Sequence, residues 1–192
     1  MNIRSYSQSD RHACLEILES NTPEFFIPTD CDRYATFLDN LPGPYFVLEQ
    51  FGQIAACGGW ALDKAGVADL TWGMVRRKFH RRGLGRELLR FRLNAIRNDG
   101  RATLVRVRTA QLVQGFFVRE GFRVVDVVPN GFGAALDKVT MEAVLPPHGS
   151  QRRPAPRFLE RPRQSVRSDK SKHRWRKAVV SGYQTERRNP FA

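Results

Sequence analysis

The run Arg81-Arg82-Gly83-Leu84-Gly85-Arg86 has the residue types and spacing best suited to chemistry in this chain. Before it, Val67–Val75 reads as a strand. After it, Leu84, Leu88, Leu89, Leu93 and Ile96 recur with helical periodicity. The run therefore opens a helix, where backbone N–H groups lack partners and the macrodipole is positive. Gly83 and Gly85 carry no side chain, so a ligand can come close to the main chain. Arg81, Arg82 and Arg86 add charge. A pyrophosphate is the group such a turn would hold. The run is not a Walker loop, because no Gly-Lys-Ser/Thr follows the glycines. Nor is it a dinucleotide fingerprint, because the third glycine is missing.

The turn needs a scaffold, and the remaining pattern supplies one. Asn2–Ser5 reads as a short strand, and Ser9 can cap a helix whose inner face is Cys14, Ile17 and Leu18. Asn21-Thr22-Pro23 ends that helix and Phe25-Phe26-Ile27-Pro28 forms an apolar loop. A second helix follows Thr29 and stops before Pro42-Gly43-Pro44. Tyr45–Glu49 and Ile54–Leu62 flank Gly52 as a hairpin. Beyond the Leu84 helix, which Asp99-Gly100 stops, Thr103–Thr109 alternates as a strand and Gln111–Glu120 is helical. Arg123–Val128 and Lys138–Leu145 finish the order βααβββαβαββ, with Asn130–Asp137 as a glycine-containing turn between them. This order specifies an α/β or α+β fold.

At 192 residues and 41% hydrophobic content the chain can bury one ordinary core. No apolar run approaches the roughly 18 residues needed to span a bilayer. MNIRSYSQSD lacks the apolar centre of a secretory signal, so a cytoplasmic protein is expected. Cys14, Cys31 and Cys57 are odd in number and form no CxxC pair. They read as buried thiols in a reducing compartment, and no metal is expected. The net charge of +13 is unevenly placed. Residues 149–192 hold 13 Lys/Arg against 3 Asp/Glu, +10, whereas residues 1–148 hold 19 against 16, +3. Two parts are expected: a globular domain over 1–148 and a disordered basic tail over 149–192. The tail would give weak, nonspecific attraction to nucleic acid, with Arg174-Trp175-Arg176-Lys177 suited to stacking on single strands.

The segment from Val75 through His80, Gly83 and Gly85 resembles motif A of the GNAT family, the acetyl-CoA-dependent N-acetyltransferases. There a strand ending in Val leads to a Gln/Arg-x-x-Gly-x-Gly/Ala loop and a helix. Gly115-Phe116-Phe117-Val118-Arg119-Glu120-Gly121-Phe122 is similar to the family's FYEKLGF segment, and Trp72-Gly73-Met74-Val75 and Gly131–Asp137 extend the likeness over about residues 1–145. The resemblance implies a central mixed, mostly antiparallel sheet flanked by helices. It also implies acetyl-CoA as co-substrate and an amine acceptor, and it leaves a homodimer open.

On the positions of this chain, the resemblance assigns the donor site to Gly73, Met74, Val75, His80, Arg81, Arg82, Gly83, Leu84, Gly85 and Arg86. It implies that the strand carrying Gly73–Val75 splays from its neighbour. The backbone groups of Met74 and Val75 would then meet the pantetheine arm and the acyl oxygen. An oxyanion donor of that kind is worth about 3–4 kcal/mol. His80 stands where the family prefers Gln or Arg, and a neutral imidazole could donate one hydrogen bond to a phosphate. Asp69 matches the position of a Glu general base in some histone-acetylating relatives, and Glu24 is the competing candidate. Proton removal by either is worth on the order of 10²–10⁴ in rate. Phe117 replaces the tyrosine that often protonates the departing sulfur, so that mechanism is weakened. Phe25, Phe26 and Trp72 could line an acceptor pocket. Two other readings stay open: a CoA-binding module with little catalysis, and a nucleic-acid-associated protein acting through its tail.

Overall fold

Period-two and continuous apolar runs become seven strands, and the 3.6-period runs become helices on both sides of them. In the computed structural model, which describes residues 1–145, the strands are β1 (Asn2–Ser5), β2 (Tyr45–Gln50), β3 (Gln53–Leu62), β4 (Val67–Val75), β5 (Leu104–Ala110), β6 (Arg123–Gly133) and β7 (Leu136–Val144). The helices are α1 (Arg11–Glu19), α2 (Asp30–Asp39), α3 (Leu84–Asp99) and the short α4 (Gln114–Arg119). The domain limit expected at residue 148 and the tail expected from residue 149 lie outside the described residues. The strands form one sheet in the order β1-β2-β3-β4-β5-β7-β6. Every neighbouring pair is antiparallel except β4–β5. That single parallel pair requires a crossover, which α3 provides. The fold is the mixed, mostly antiparallel sheet flanked by helices that the family resemblance implies.

One face of the sheet takes α3 and α4. Leu89, Ile96, Phe117 and Phe122 pack there against Trp60, Leu70, Val105, Val107 and Met141. The other face takes α1 and α2, with Cys14, Ile17, Leu18, Tyr34 and Leu38 against Val47, Cys57 and Met74. Cys14 and Cys57 are buried free thiols, as expected, and Cys31 is half-buried. Among the described residues no helix is long and apolar enough to cross a membrane.

The parallel ladder is short. Val67–Leu70 pair with Leu104–Val107, and there it stops. Beyond it β4 stays with β3 while β5 stays with β7. The cause is local: Trp72 and Gly73 together oppose Gly58, a bulge that shifts the β3–β4 register and re-aims β4. Trp72 sits at φ +38 to make the bulge, and the Tyr45 hydroxyl donates to its carbonyl at 3.0 Å.

Two local expectations are corrected. The first helix is not capped by Ser9. Ser7 begins a 3-10 turn over Gln8–Asp10, and the Asp10 carboxylate accepts from the Ser7 N–H at 2.8 Å and its hydroxyl at 3.0 Å. Ser9 only pairs with the Ser7 hydroxyl. Asn130–Asp137 is not an open turn, since β6 runs on to Gly133 and only Ala134-Ala135 separates it from β7. The side chains of Asp137 and Asn130 accept from the Asn130 and Ala135 amides, at 2.9 and 2.7 Å, and these bonds hold the hairpin end together.

Candidate functional site

The β3–β4 bulge places the wedge between β4 and β5, and the glycine turn lies at its mouth. Arg81 and Gly83 both adopt positive φ, +60 and +85. This turns the chain so that successive amides point the same way, a nest that favours anions. Gly83 is the residue before α3, and its carbonyl accepts from Arg86 and Glu87. The N–H groups of Arg81, Arg82, Gly83, Leu84 and Gly85 have no acceptor among the described residues. Five adjacent free donors at the positive end of a 16-residue helix form an anion cradle. A side chain at Gly83 would meet nothing within 4 Å, so the approach is open; at Gly85 it would reach Val75 at 3.6 Å and Phe116 at 3.9 Å.

The arginines around the cradle do different things. Arg86 is paired with Glu120 at 2.6 Å. The Arg82 guanidinium lies over the Phe79 ring at 5.5 Å, with Lys78 also near that ring at 5.1 Å. Arg81 has no carboxylate partner among the described residues, which leaves its charge available at the mouth.

From this mouth a cleft of about 1060 Å³ runs along β4 to the loop between α1 and α2. Gly73, Met74, Val75, His80, Arg81, Gly83, Leu84, Gly85 and Arg86 line it together, as does Glu24. Arg82 and Asp69 stand outside the lining. The Arg76 N–H bonds to the Ala55 carbonyl at 2.8 Å, so Arg76 faces β3. Strand alternation then turns the N–H and C=O of Val75 into the wedge. The carbonyl is already held, by Asn21 Nδ2 at 2.9 Å and His80 Nε2 at 2.8 Å. The His80 side chain therefore closes its own loop; because a carbonyl only accepts, Nε2 carries the hydrogen. That bond occupies the N–H expected to contact a phosphate. The Val75 N–H is left as a donor inside the wedge.

The far end of the cleft is aromatic, with carboxylates that are paired to arginines. Phe25, Phe26, Trp72 and Phe132 line it with Glu24 and Asp30. Trp72 stacks on Phe26 with centroids 6.1 Å apart and lies 4.9 Å from Tyr34, so it belongs to the core and the lining at once. Glu24 is half exposed and ion-paired with Arg77. Asp69 shares a strand face with Thr71, which lines the cleft, but its carboxylate is held by Arg108 at 3.2 Å. Phe117 is buried with Phe116 and Phe122, and no tyrosine lines the cleft among the described residues. No group of three or more His, Cys, Asp or Glu among them could hold a metal there either.

Asn21 and Arg92 are among the lining residues that escape the sequence reading. Asn21, which reads as a helix end, joins α1 to the end of β4 by bonding both the Ile17 carbonyl, at 2.7 Å, and that of Val75. Arg92, to which the sequence reading gives no role, is buried beneath the bulge. Its spacing from Leu88 and Ile96 puts it on the apolar stripe, which is the available signal.

A family model described as Acetyltransferase (GNAT) family matches residues 12–122. No curated protein sequence matches the chain. Among solved structures, the ribosomal-protein-S18-alanine N-acetyltransferase from Escherichia coli is similar, with TM-score 0.66 and 19% identity over 78% of this chain and 97% of that one. An aminoglycoside 6'-N-acetyltransferase complexed with coenzyme A gives TM-score 0.64 and 12% identity, covering 76% and 98%. A protein from Salmonella typhimurium solved with its cofactor acetyl-CoA gives 0.61 and 20%, covering 78% and 96%. At these identities the likeness is one of fold.

Proposed function

The chain belongs to the GNAT family of acetyltransferases, and from that premise we propose that it transfers an acetyl group from acetyl-CoA to a primary amine by direct attack in a ternary complex. The observation that carries this reading is the row of five amides at the mouth of the wedge, Arg81 to Gly85, that have no acceptor among the described residues. These donors and the Arg81 charge suit the pyrophosphate of CoA. A cleft of about 1060 Å³ suits the rest of the donor with an acceptor beside it.

Within that site the residues take distinct roles. The inward-facing Val75 N–H would hold the acyl oxygen as charge develops on it, a donor worth about 3–4 kcal/mol. Asn21 and His80 grip the Val75 carbonyl, which points the same way as its N–H, and so help hold the Val75 backbone conformation that aims the donor. Glu24 is the proposed proton acceptor because it lines the cleft, and Asp69 is the second candidate. Phe25, Phe26 and Trp72 are proposed to border the acceptor. The free thiols of Cys14 and Cys57 accord with action in the reducing cytoplasm.

The test is thiol release from acetyl-CoA across a panel of small amines, N-terminal peptides and lysine peptides, alongside calorimetric binding of acetyl-CoA. We expect acetyl-CoA binding and turnover with at least one amine class. Failure to bind acetyl-CoA would refute the reading. A second reading, a CoA-binding module with little catalysis, is favoured by Phe117, which offers no hydroxyl beside the cleft. Binding without turnover on any amine would select it.

A further inference from the structure

Arg92 is the least explained residue of the domain. It projects from the middle of α3 onto the sheet, is 4% exposed, and lines the inner end of the cleft with Leu70, Val107 and Phe117. The bulge is shaped to admit it: a Cβ at Gly58 would lie 2.9 Å from Nη1, and one at Gly73 would lie 2.8 Å from Nη2. Only glycine fits at either position while the guanidinium is there. Nη1 donates to the Gly59 carbonyl at 3.2 Å, the one hydrogen bond of this side chain among the described residues. Nε is buried with no partner, and Nη2 has no acceptor among the described residues. No carboxylate pairs with it there. The titratable groups it feels are Tyr45 on β2 and Cys57 on β3.

A buried, unpaired guanidinium is costly, because desolvation disfavours the charge and nothing nearby returns it. Burial pushes its pKa down to about 10, so it is still cationic at neutral pH. A site that keeps such a charge is organised for an anion that comes and goes. Resting on the acetyl-transfer reading, two anions could reach this depth: the thiolate left by the reaction, or a carboxylate on a dicarboxylic acyl chain. With Nη1 held by Gly59 and Nε enclosed, Nη2 is the nitrogen left to face the cleft. One nitrogen suits a single-atom anion, whereas a carboxylate is best met by two parallel bonds.

We propose that Arg92 stabilises the departing CoA thiolate, taking the place of the hydroxyl that Phe117 lacks. In the step, the amine nitrogen bonds to the acyl carbon and the carbon–sulfur bond breaks. Its electron pair stays on sulfur as the thiolate, and the amine proton passes to Glu24 or to water. Arg92 keeps its proton and supplies charge only, so solvent protonates the sulfur after release.

The experiment measures the thiol pKa of CoA bound to the full chain, from ultraviolet thiolate absorbance against the same protein holding a CoA analogue without the thiol, for wild type, Arg92→Met and Arg92→Lys. The other charged groups on the cleft wall, Glu24 and Asp30 with Arg33, Arg81, Arg86, Arg108 and Arg119, are unchanged in all three and provide a common background. Wild type is expected to hold the thiol about one unit or more below the free value near 8.5. Arg92→Met should return it to that value and lower kcat by roughly 10- to 100-fold, with acetyl-CoA affinity within about threefold, because a thioester carries no charge there. Arg92→Lys should retain part of the shift, which covers the case of a methionine variant that folds poorly. An unshifted thiol in wild type would overturn this inference alone, and so would a shift that survives Arg92→Met. A wild-type preference for succinyl-CoA that Arg92→Met abolishes would overturn it too, in favour of a carboxylate receptor. Loss of CoA binding by wild type itself would take the parent reading down as well.

Discussion

Glu24 and Asp69 are carboxylates of the same chemistry, separated by what surrounds them. Glu24 lines the cleft, and its partner Arg77 is solvent-accessible, so an incoming amine can displace that contact. Asp69 lies outside the lining with Arg108 across its Oδ1. We therefore expect Glu24→Gln to lower kcat by on the order of 10²-fold or more, with acetyl-CoA affinity unchanged. Asp69→Asn should lower it less. Steady-state kinetics on both variants checks this, and a fully active Glu24→Gln would remove Glu24 from the mechanism. Both carboxylates are visible in the sequence, but their rank is not. Rank depends on which strand face meets the cleft, and the Trp72-Gly73 bulge changes that locally. Asp10 makes the same point for stability. Its carboxylate is almost fully buried against Arg4, with bonds of 2.6 and 2.8 Å, and also accepts from Ser7. The Arg4 bonds, foremost, hold its pKa down at about 2 from an ordinary 3.8. A carboxylate with a depressed folded-state pKa stabilises the fold above its unfolded value and loses that contribution as pH falls through the folded one. Asp10→Asn should thus cost about 2 kcal/mol at pH 7 and progressively less between about pH 4 and 2, read from denaturant melts at several pH values.

At the scale of elements, the donor site is the junction of β4 and α3, and most of that junction is legible in the sequence. Glycine at a helix start, arginine beside it and a valine-ended strand before it are all local signals, and the structure places them at the mouth of one cleft. The splay of β4 from β5 has no local signal. It follows from the register of β3 against β4, where Gly58 on one strand meets Trp72 and Gly73 on the other. The end of β6 escapes a sequence reading for a related reason. Pro129-Asn130-Gly131 looks like a turn, yet bonds from Asp137, Asn130 and the distant Gln111, whose Oε1 accepts from the Asp137 amide at 2.9 Å, extend the hairpin. The cradle itself can be tested with two substitutions at Gly83. Its φ of +85 strains any L-residue by roughly 1–2 kcal/mol, and the space around it is open. Gly83→Ala should lower stability by about that amount and weaken CoA binding modestly. Gly83→Glu should carry the same strain but abolish detectable CoA binding, because its carboxylate would occupy the place of a phosphate. Calorimetric titration separates the two; equal affinity of Gly83→Glu and Gly83→Ala would show that no anion sits there.

For the molecule as a whole, the question is whether its positive charge acts locally or diffusely. The chain carries +13, of which +10 lies in residues 149–192 and only +3 in residues 1–148. Yet the site just described needs little net charge. Its grip comes from amide N–H groups and the end of a helix, whose influence fades within a turn. A nucleic acid presents a different demand, since its affinity scales with the number of phosphates that cations neutralise, and that number sets the salt dependence. The two anionic ligands should therefore separate by region. Removing residues 149–192 should leave acetyl-CoA affinity and turnover close to wild type. Affinity for single-stranded DNA should fall, and the slope of log K against log salt should flatten by roughly 0.7 for each phosphate that is no longer neutralised. Replacing Arg174, Arg176 and Lys177 with glutamine in the full chain should reproduce about two units of that flattening, as expected when each of the three cations neutralises one phosphate. Polyanion affinity that survives both changes, with its salt slope intact, would place the nucleic-acid attraction on the basic mouth of the cleft instead. CoA would then compete with DNA for the same protein, and that competition can be read directly by titrating one against the other.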